Sequence, residues 1–150
     1  MSSSDTLTVR PLQSLDQQAW LPLWQGYLDF YQASLDPEVT KVTWQRLTAD
    51  DDTVFGFGAF EGQSLIGIAH CVKHRATWTK GWYLYLEDLF TSPASRGKGA
   101  GEALIQAVYD KADALEASRV YWHTHYTNEV ACRLYDRVGS NAGFIQYRRP

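Results

Sequence analysis

The chain has 150 residues, of which 45% are hydrophobic and 21% charged, and its formal net charge is −3. This composition predicts a globular protein with one buried core, so we expect residues 1–150 to form one domain. A mildly acidic chain has no general attraction for nucleic acid or anionic lipid. No run approaches the ~20 apolar residues that span a bilayer. We therefore expect neither a nucleic acid nor a membrane as partner.

Cysteine usage and the start of the chain both favour a reducing compartment. Cys71 and Cys132 are far apart in the sequence and do not form a disulfide framework. The first residues are polar and contain no apolar run of the kind found in a secretory signal. We expect a cytoplasmic protein.

The first half of the chain predicts a strand, two helices and a hairpin. The predicted elements are a strand over residues 7–10, a helix over 20–31, a short helix after Thr40, and strands over 54–60 and 65–73. Apolar residues recur at intervals of three and four in the first helix, which is typical of an amphipathic helix. Pro22 fits best in the first turn of that helix, where its missing N–H costs little.

The second half alternates strands and helices. The predicted elements are a strand over residues 82–90, a helix over 100–115, a strand over 119–124, a helix over 128–138 and a last strand over 143–148. The complete order is β-α-α-β-β-β-α-β-α-β, which predicts an α/β domain with a mixed sheet.

A glycine-rich turn joins the strand over 82–90 to the following helix. Residues 96–101 read Arg-Gly-Lys-Gly-Ala-Gly. The first N–H groups of a helix lack internal partners and carry the positive end of its dipole, so this turn suits a phosphate group. A dinucleotide fingerprint would need glycine at Glu102, and a P-loop would need Gly-Lys-Ser/Thr where Glu102 and its neighbours stand. Neither motif fits.

The turn has the form R-x-x-G-x-G, which resembles the pyrophosphate-binding motif of the GCN5-related N-acetyltransferase (GNAT) family. The strand before it, and Asn128 seven residues before Tyr135 on one helix face, resemble that family in the same order. The segments 74–78 and 134–139 look most like the polyamine and thialysine acetyltransferases and the yeast histone and D-amino-acid branch. The resemblance implies a GNAT fold, a mostly antiparallel mixed sheet flanked by helices, and a homodimer.

The resemblance also implies acetyl-CoA as cofactor and a set of residues that bind it. Backbone amides of the turn would hold the diphosphate, the strand edge would pair with the pantetheine, and Asn128 and Tyr135 would lie beside the cofactor. The implied cofactor-binding residues are Leu89, Phe90, Thr91, Arg96, Gly97, Lys98, Gly99, Ala100, Gly101, Asn128 and Tyr135.

Acetyl transfer to an amine needs a base. An alkyl amine has a pKa near 10.4, so a fraction of about 10⁻³·⁴ is nucleophilic at pH 7 and deprotonation costs roughly 4.6 kcal/mol. Glu87 is the favoured base and acceptor contact, acting through a water. Adjacent residues of a regular strand point to opposite faces, so Glu87 and Asp88 share the cleft only if a bulge intervenes. A pair of solvated or salt-bridged carboxylates is the alternative reading.

The leaving thiolate needs a proton, and the acceptor needs a pocket. Tyr135 is the candidate acid, because a phenol of pKa about 10 can protonate a thiolate whose conjugate acid has a pKa near 8.5. A backbone N–H of Leu89 or Phe90 is the candidate donor to the acetyl oxygen. Tyr31 and Trp78 either line a pocket for an ammonium group or pack within the protein.

Histidines are expected to play no metal role, since none has a cysteine or carboxylate at ligand spacing.

Together, the motifs and the resemblance predict acetyl transfer from acetyl-CoA to a primary amine, polyamine-like or amino-acid-like, by direct attack in a ternary complex. Two alternatives stay open: acetylation of lysine in proteins such as histones, and a CoA-binding module without catalysis.

Overall fold

The computed structural model describes residues 6–150 and contains a five-stranded sheet with four α-helices. The strands are β1 (Leu7–Pro11), β2 (Val54–Glu61), β3 (Ser64–His74), β4 (Trp82–Thr91) and β5 (Ala117–Tyr121). The helices are α1 (Gln17–Phe30), α2 (Pro37–Leu47), α3 (Ala100–Ala114) and α4 (Glu129–Val138). The predicted α/β class and mixed sheet are confirmed. Residues 1–5, on which the expectation of no signal segment rests, lie outside the described residues.

The sheet follows the chain in simple order, β1-β2-β3-β4-β5. The first four strands are antiparallel, and β5 lies parallel to β4 because α3 carries the chain back across the sheet. Two hydrophobic clusters cover the two faces. One contains α3 residues such as Leu104 and Val108, and the other contains α1 residues such as Trp20 and Leu28. No helix of residues 6–150 is long and apolar enough to cross a membrane.

The first two helices begin earlier than their apolar stripes indicate. A short 3-10 turn, Ser14–Asp16, leads directly into α1, so Pro22 lies inside the helix rather than in its first turn as predicted. Pro22 faces solvent, which limits the cost to one missing backbone hydrogen bond. Helix α2 begins at Pro37 instead of after Thr40, because the Asp36 carboxylate caps it by accepting the Glu38 N–H.

The predicted last strand is wrong. The structure has no strand in residues 139–150, and the apolar side chains of that segment, Phe144, Ile145 and Tyr147, are exposed. A strand needs a neighbouring edge to satisfy its backbone, and this segment pairs with none in the described chain. The sequence pattern of this segment alone was therefore not sufficient to form a strand.

Candidate active site

The glycine-rich turn leaves the mouth of α3 open. Gly97 and Gly99 have φ values of +84° and +81°, a left-handed conformation that favours glycine. No described atom lies within 4 Å of the position that a Cβ would take at either residue. The first backbone bond of the helix runs from the Ala103 N–H to the Gly99 carbonyl, so the amides before Ala103 have no helical partner. This open row of N–H groups fits a diphosphate.

Charge around the turn is positive but partly compensated. Arg96 is exposed, and Lys98 Nζ donates to the Glu61 oxygens at 2.8 and 2.9 Å. Glu102, in the first turn of α3, would repel an anion, but Arg137 of α4 pairs with it at 2.8 Å. Both pairs are exposed or nearly so, and they tune the local charge more than they stabilise the fold.

Gly101 has a packing role that differs from its predicted contact with the cofactor. A Cβ there would lie 3.1 Å from the Leu134 side chain, so the missing side chain lets α4 approach the start of α3. Tyr135 follows Leu134 on that helix. Asn128 caps α4, its Oδ1 accepting the Ala131 N–H at 3.3 Å. The turn and the candidate acid are thus held together by direct helix packing.

One edge of β4 is free beside this turn. Strand β4 pairs with β3 as far as Thr91, but within the described chain it pairs with β5 only as far as Tyr85. The backbone from Glu87 to Thr91 therefore has donors and acceptors on the β5 side that no strand uses. Leu89 packs on the α3 cluster and Phe90 is buried in the α1 cluster, which fixes this edge in place. The free edge fits β-like pairing with a pantetheine chain.

A β-bulge at Glu87 places the Asp88 carboxylate on the α1 face of the sheet. Asp88 pairs with His70 and Leu86 with Cys71, so Glu87 is the extra residue on β4. Leu86 and Cys71 lie in the α3 cluster, whereas the Asp88 carboxylate contacts His70 on the α1 face. On a regular strand Leu86 and Asp88 would share a face, because they are two positions apart. The bulge that the sequence analysis left open is present.

The two carboxylates influence each other and a nearby phenol. Burial first, and then the charge of Asp88, raises the pKa of the Glu87 carboxyl above its ordinary value. Burial, followed by the charge of Asp88 and a hydrogen bond to it, raises the pKa of the Tyr27 phenol far above 10. The charge of Glu87 adds to that rise. Tyr27 of α1 is therefore close to Asp88, and the exposed Glu87 is near enough to act on Tyr27 by its charge.

Tyr31 and Tyr135 lie near each other across this cleft. Burial raises the pKa of Tyr135 to about 12, and the Tyr31 phenol contributes to the rise. Burial and then the charge of Asp88 raise the pKa of Tyr31. The Tyr135 ring packs edge-on against Trp122 at 5.5 Å. Tyr31 at the end of α1 is thus close both to Asp88 on the β4 bulge and to Tyr135 on α4.

The sequence analysis gives no site role to Tyr27 or His70, and both interact with Asp88 in the structure. In the structure the Trp20 indole N–H donates to His70 Nε2 at 3.0 Å, and His70 Nδ1 lies 2.9 Å from the Asp88 carboxylate. Two adjacent acidic residues that interrupt an otherwise continuous apolar strand are the sequence signal that could have indicated the bulge.

Trp78 lies apart from the cleft. It is 81% exposed and lines a small surface pocket with Tyr83 and Arg119, near the start of β4. Tyr83 precedes Glu87 by four residues, about 13 Å along a strand. The structure brings Tyr31 close to Tyr135 and to Asp88, the neighbour of Glu87, and does not bring Trp78 to them. Among residues 6–150, no group of three or more His, Cys, Asp or Glu side chains is arranged to hold a metal ion.

Comparison with known proteins agrees with this geometry. The acetyltransferase (GNAT) family profile matches residues 18–139. The D-amino-acid N-acetyltransferase HPA3 of Saccharomyces cerevisiae is 32% identical over 148 residues, covering 97% of this chain and 92% of the yeast protein. Thialysine N-epsilon-acetyltransferase of Caenorhabditis elegans is 31% identical over 93 residues, covering 62% of this chain and 58% of the nematode protein.

A solved structure has the same fold. The aminoglycoside acetyltransferase AAC(6')-Iy, in complex with a bisubstrate analogue of CoA, matches with a TM-score of 0.83 at 15% identity and covers 97% of this chain and 98% of its own. The chain therefore belongs to the GNAT acetyltransferase family, and the resemblance inferred from its motifs is confirmed. It is an acetyl-CoA-dependent N-acetyltransferase.

Proposed function

We propose that the protein, acting as one domain over residues 1–150, transfers the acetyl group of acetyl-CoA to a primary amine of a small cationic or amino-acid-like acceptor. The observation that carries this proposal is the free edge of β4, flanked by an open helix mouth on one side and by Glu87, Asp88 and Tyr135 on the other. Amine acetylation by the yeast and nematode relatives supports the same acceptor class.

Cofactor binding is assigned to the turn and the β4 edge. The amides of residues 97–102 bind the diphosphate, and Arg96 and Lys98 supply positive charge to it. The backbone of Leu89 to Thr91 pairs with the pantetheine amides and offers an N–H to the acetyl oxygen. Acetyl-CoA supplies the activated acyl group on a good leaving group.

Glu87 takes the proton of the amine through a water. Its pKa lies above the ordinary value because of burial and Asp88, which brings it closer to the working pH and makes it a better base. As the amine nitrogen forms its bond to the acetyl carbon, the carbon–sulfur bond breaks and CoA leaves as thiolate. An acceptor that arrives as an ammonium loses two protons on becoming an amide. One goes to Glu87 through the water before the attack, and the other leaves the nitrogen as the carbon–sulfur bond breaks and balances the proton that the thiolate takes up.

Tyr135 serves the departing sulfur as a donor. Its pKa of about 12 keeps the phenol protonated throughout the neutral range, so it always presents a hydrogen. Full proton transfer to a thiolate whose conjugate acid has a pKa near 8.5 would be uphill by ~5 kcal/mol. We therefore assign Tyr135 to hydrogen bonding of the developing thiolate, with the proton passing over as the product leaves.

Tyr31 forms the aromatic wall of the acceptor side, next to Asp88 and Tyr135. Its ring and the two carboxylates suit a positively charged acceptor. Cytoplasmic location and a homodimeric state complete the proposal, supported by the composition and by the family resemblance.

The test is release of CoA thiol from acetyl-CoA with a panel of amines: diamines, polyamines, D- and L-amino acids, thialysine and a lysine-containing peptide. Mass spectrometry identifies the acetylated product, and reactions without amine give the background. Turnover with a small cationic amine is expected. Turnover with the peptide alone would assign a protein-lysine function instead, and CoA binding without any turnover would refute the proposal.

A further inference from the structure

The Trp20–His70–Asp88 chain is the strongest polar feature of the interior that acetyl transfer by Glu87 and Tyr135 leaves unused. The side chain of His70 is 4% exposed, on β3, between α1 and β4. Burying an imidazole is costly unless both nitrogens have partners. Both do: Trp20 at 3.0 Å and Asp88 at 2.9 Å.

The partners determine where the His70 proton lies. An indole N–H can only donate, so His70 Nε2 must accept and carries no hydrogen. The ring proton is then on Nδ1 and is donated to the Asp88 carboxylate. His70 is therefore a neutral donor with a defined tautomer, set by Trp20 from one side and used by Asp88 on the other.

Of these three hydrogen-bonded residues, Asp88 is the one that reaches the cleft. Its side chain is 14% exposed, and it lies next to Glu87 on the bulge. The charge of Asp88 contributes to the raised pKa of five groups: Tyr27, Tyr31, Cys71, Tyr85 and Glu87. A carboxylate held by an imidazole and a phenol stays in one orientation.

We propose that Trp20, His70 and Asp88 form a positioning relay for the acceptor amine. His70 acts through Asp88, which anchors the cationic nitrogen beside Glu87. The two carboxylates then have separate tasks: Asp88 holds the amine, and Glu87 receives its proton. This inference rests on the proposed amine acetylation, and it identifies the acceptor as one that arrives positively charged.

The first test reads the tautomer directly in the wild-type protein. Nitrogen-15 NMR of the His70 ring at neutral pH is expected to show a protonated Nδ1 and an unprotonated Nε2. Protonation of Nε2 would be incompatible with the Trp20 bond and would overturn the relay. This measurement requires no turnover, so its outcome is separate from the amine panel, whose failure would refute the proposed function.

The second test uses two substitutions of His70. His70→Asn keeps an amide N–H near the position of Nδ1, whereas His70→Leu removes every donor at similar size. With the best amine of the panel, His70→Leu is expected to raise the acceptor KM by about tenfold and to leave the acetyl-CoA KM within about twofold. His70→Asn should recover most of this loss.

Two results of that comparison would overturn the relay. One is a folded His70→Leu variant with wild-type KM for the acceptor. The other is an Asn variant no better than Leu, since donation to Asp88 would then be irrelevant. Should the Leu variant fail to fold, the comparison of His70→Asn with the wild type and the tautomer measurement still decide the matter.

Discussion

Substitution of Gly99 tests whether the mouth of α3 holds a diphosphate. Gly99 has a left-handed backbone, and no described atom lies within 4 Å of its Cβ position. Gly99→Ala therefore adds no clash in the free protein and costs only the conformational strain, about 1–2 kcal/mol. Gly99→Asp adds the same strain and a negative charge at the first amides of the helix.

In Gly99→Asp the added negative charge has a larger effect on CoA binding than the backbone strain. At ~4 Å and an effective dielectric constant of ~20, one pair of like charges costs about 4 kcal/mol. This corresponds to a loss of about a thousandfold in affinity for CoA. We expect Gly99→Asp to abolish measurable CoA binding, and Gly99→Ala to weaken it by about tenfold or less.

Calorimetric titration with CoA is the assay, and urea unfolding reports the stability of each variant. Gly143→Asp is the matched control, because Gly143 also has a positive φ, +82°, and no described atom near its Cβ position, but it lies in the C-terminal segment. It should bind CoA like the wild type. A folded Gly99→Asp protein that also binds CoA normally would refute the assignment of the turn.

Three further predictions concern the cleft. Tyr135→Phe should lower kcat by about 10²–10³-fold, the cost of losing one preorganised hydrogen-bond donor, with little change in acetyl-CoA affinity, measured by turnover and by calorimetry. Asp88→Asn removes a negative neighbour that raises the pKa of Glu87, so the acid limb of the kcat/KM profile should move to lower pH. Tyr31→Ala should raise the KM of a cationic acceptor by about fivefold, whereas Trp78→Ala, an equivalent loss at the far end of β4, should leave it unchanged.

Each of these expectations has a clear contrary result. Unchanged kcat in Tyr135→Phe would show that the phenol does not assist the leaving sulfur. Tyr126→Phe, at an exposed residue, is the control and should stay fully active. An acid limb that moves to higher pH in Asp88→Asn would mean that Glu87 is not the titrating base. A Trp78 effect larger than that of Tyr31 would move the acceptor pocket to the start of β4.

Most elements were predictable because their periodicity is local. The stripes of α1 and α3 each bury one face, and β2 and β3 are continuous apolar runs buried on both faces, so the pattern of apolar residues indicates each element without knowledge of its partner. The turn at 96–101 was predictable for the same reason, since glycines at fixed offsets before a helix define a backbone conformation. The predicted last strand failed because pairing depends on a distant edge, which composition does not report.

The candidate site was predictable only in part. Glu87 and Tyr135 could be placed by spacing and resemblance, but which face Asp88 occupies depends on one unpaired residue between two strands. His70 could not be identified, because its partners are 50 residues earlier and 18 residues later in the chain. Contacts of that separation come from the tertiary fold and leave no local pattern.

The extra residue in β4 sets the phase of the whole strand. Leu86 packs toward α3 and Phe90 toward α1. These two residues are four positions apart and would share a face on a regular strand, so the bulge between them is what places them on opposite faces. Deleting Glu87 would leave Leu86 opposite Cys71 and Asp88 opposite His70, so it would remove the bulge and one carboxylate while the pairing of β3 and β4 stays in register. Deleting a residue that pairs with β3 would instead shift every later side chain of β4 to the other face. The segment should accordingly tolerate loss of the bulge residue better than loss of any paired residue.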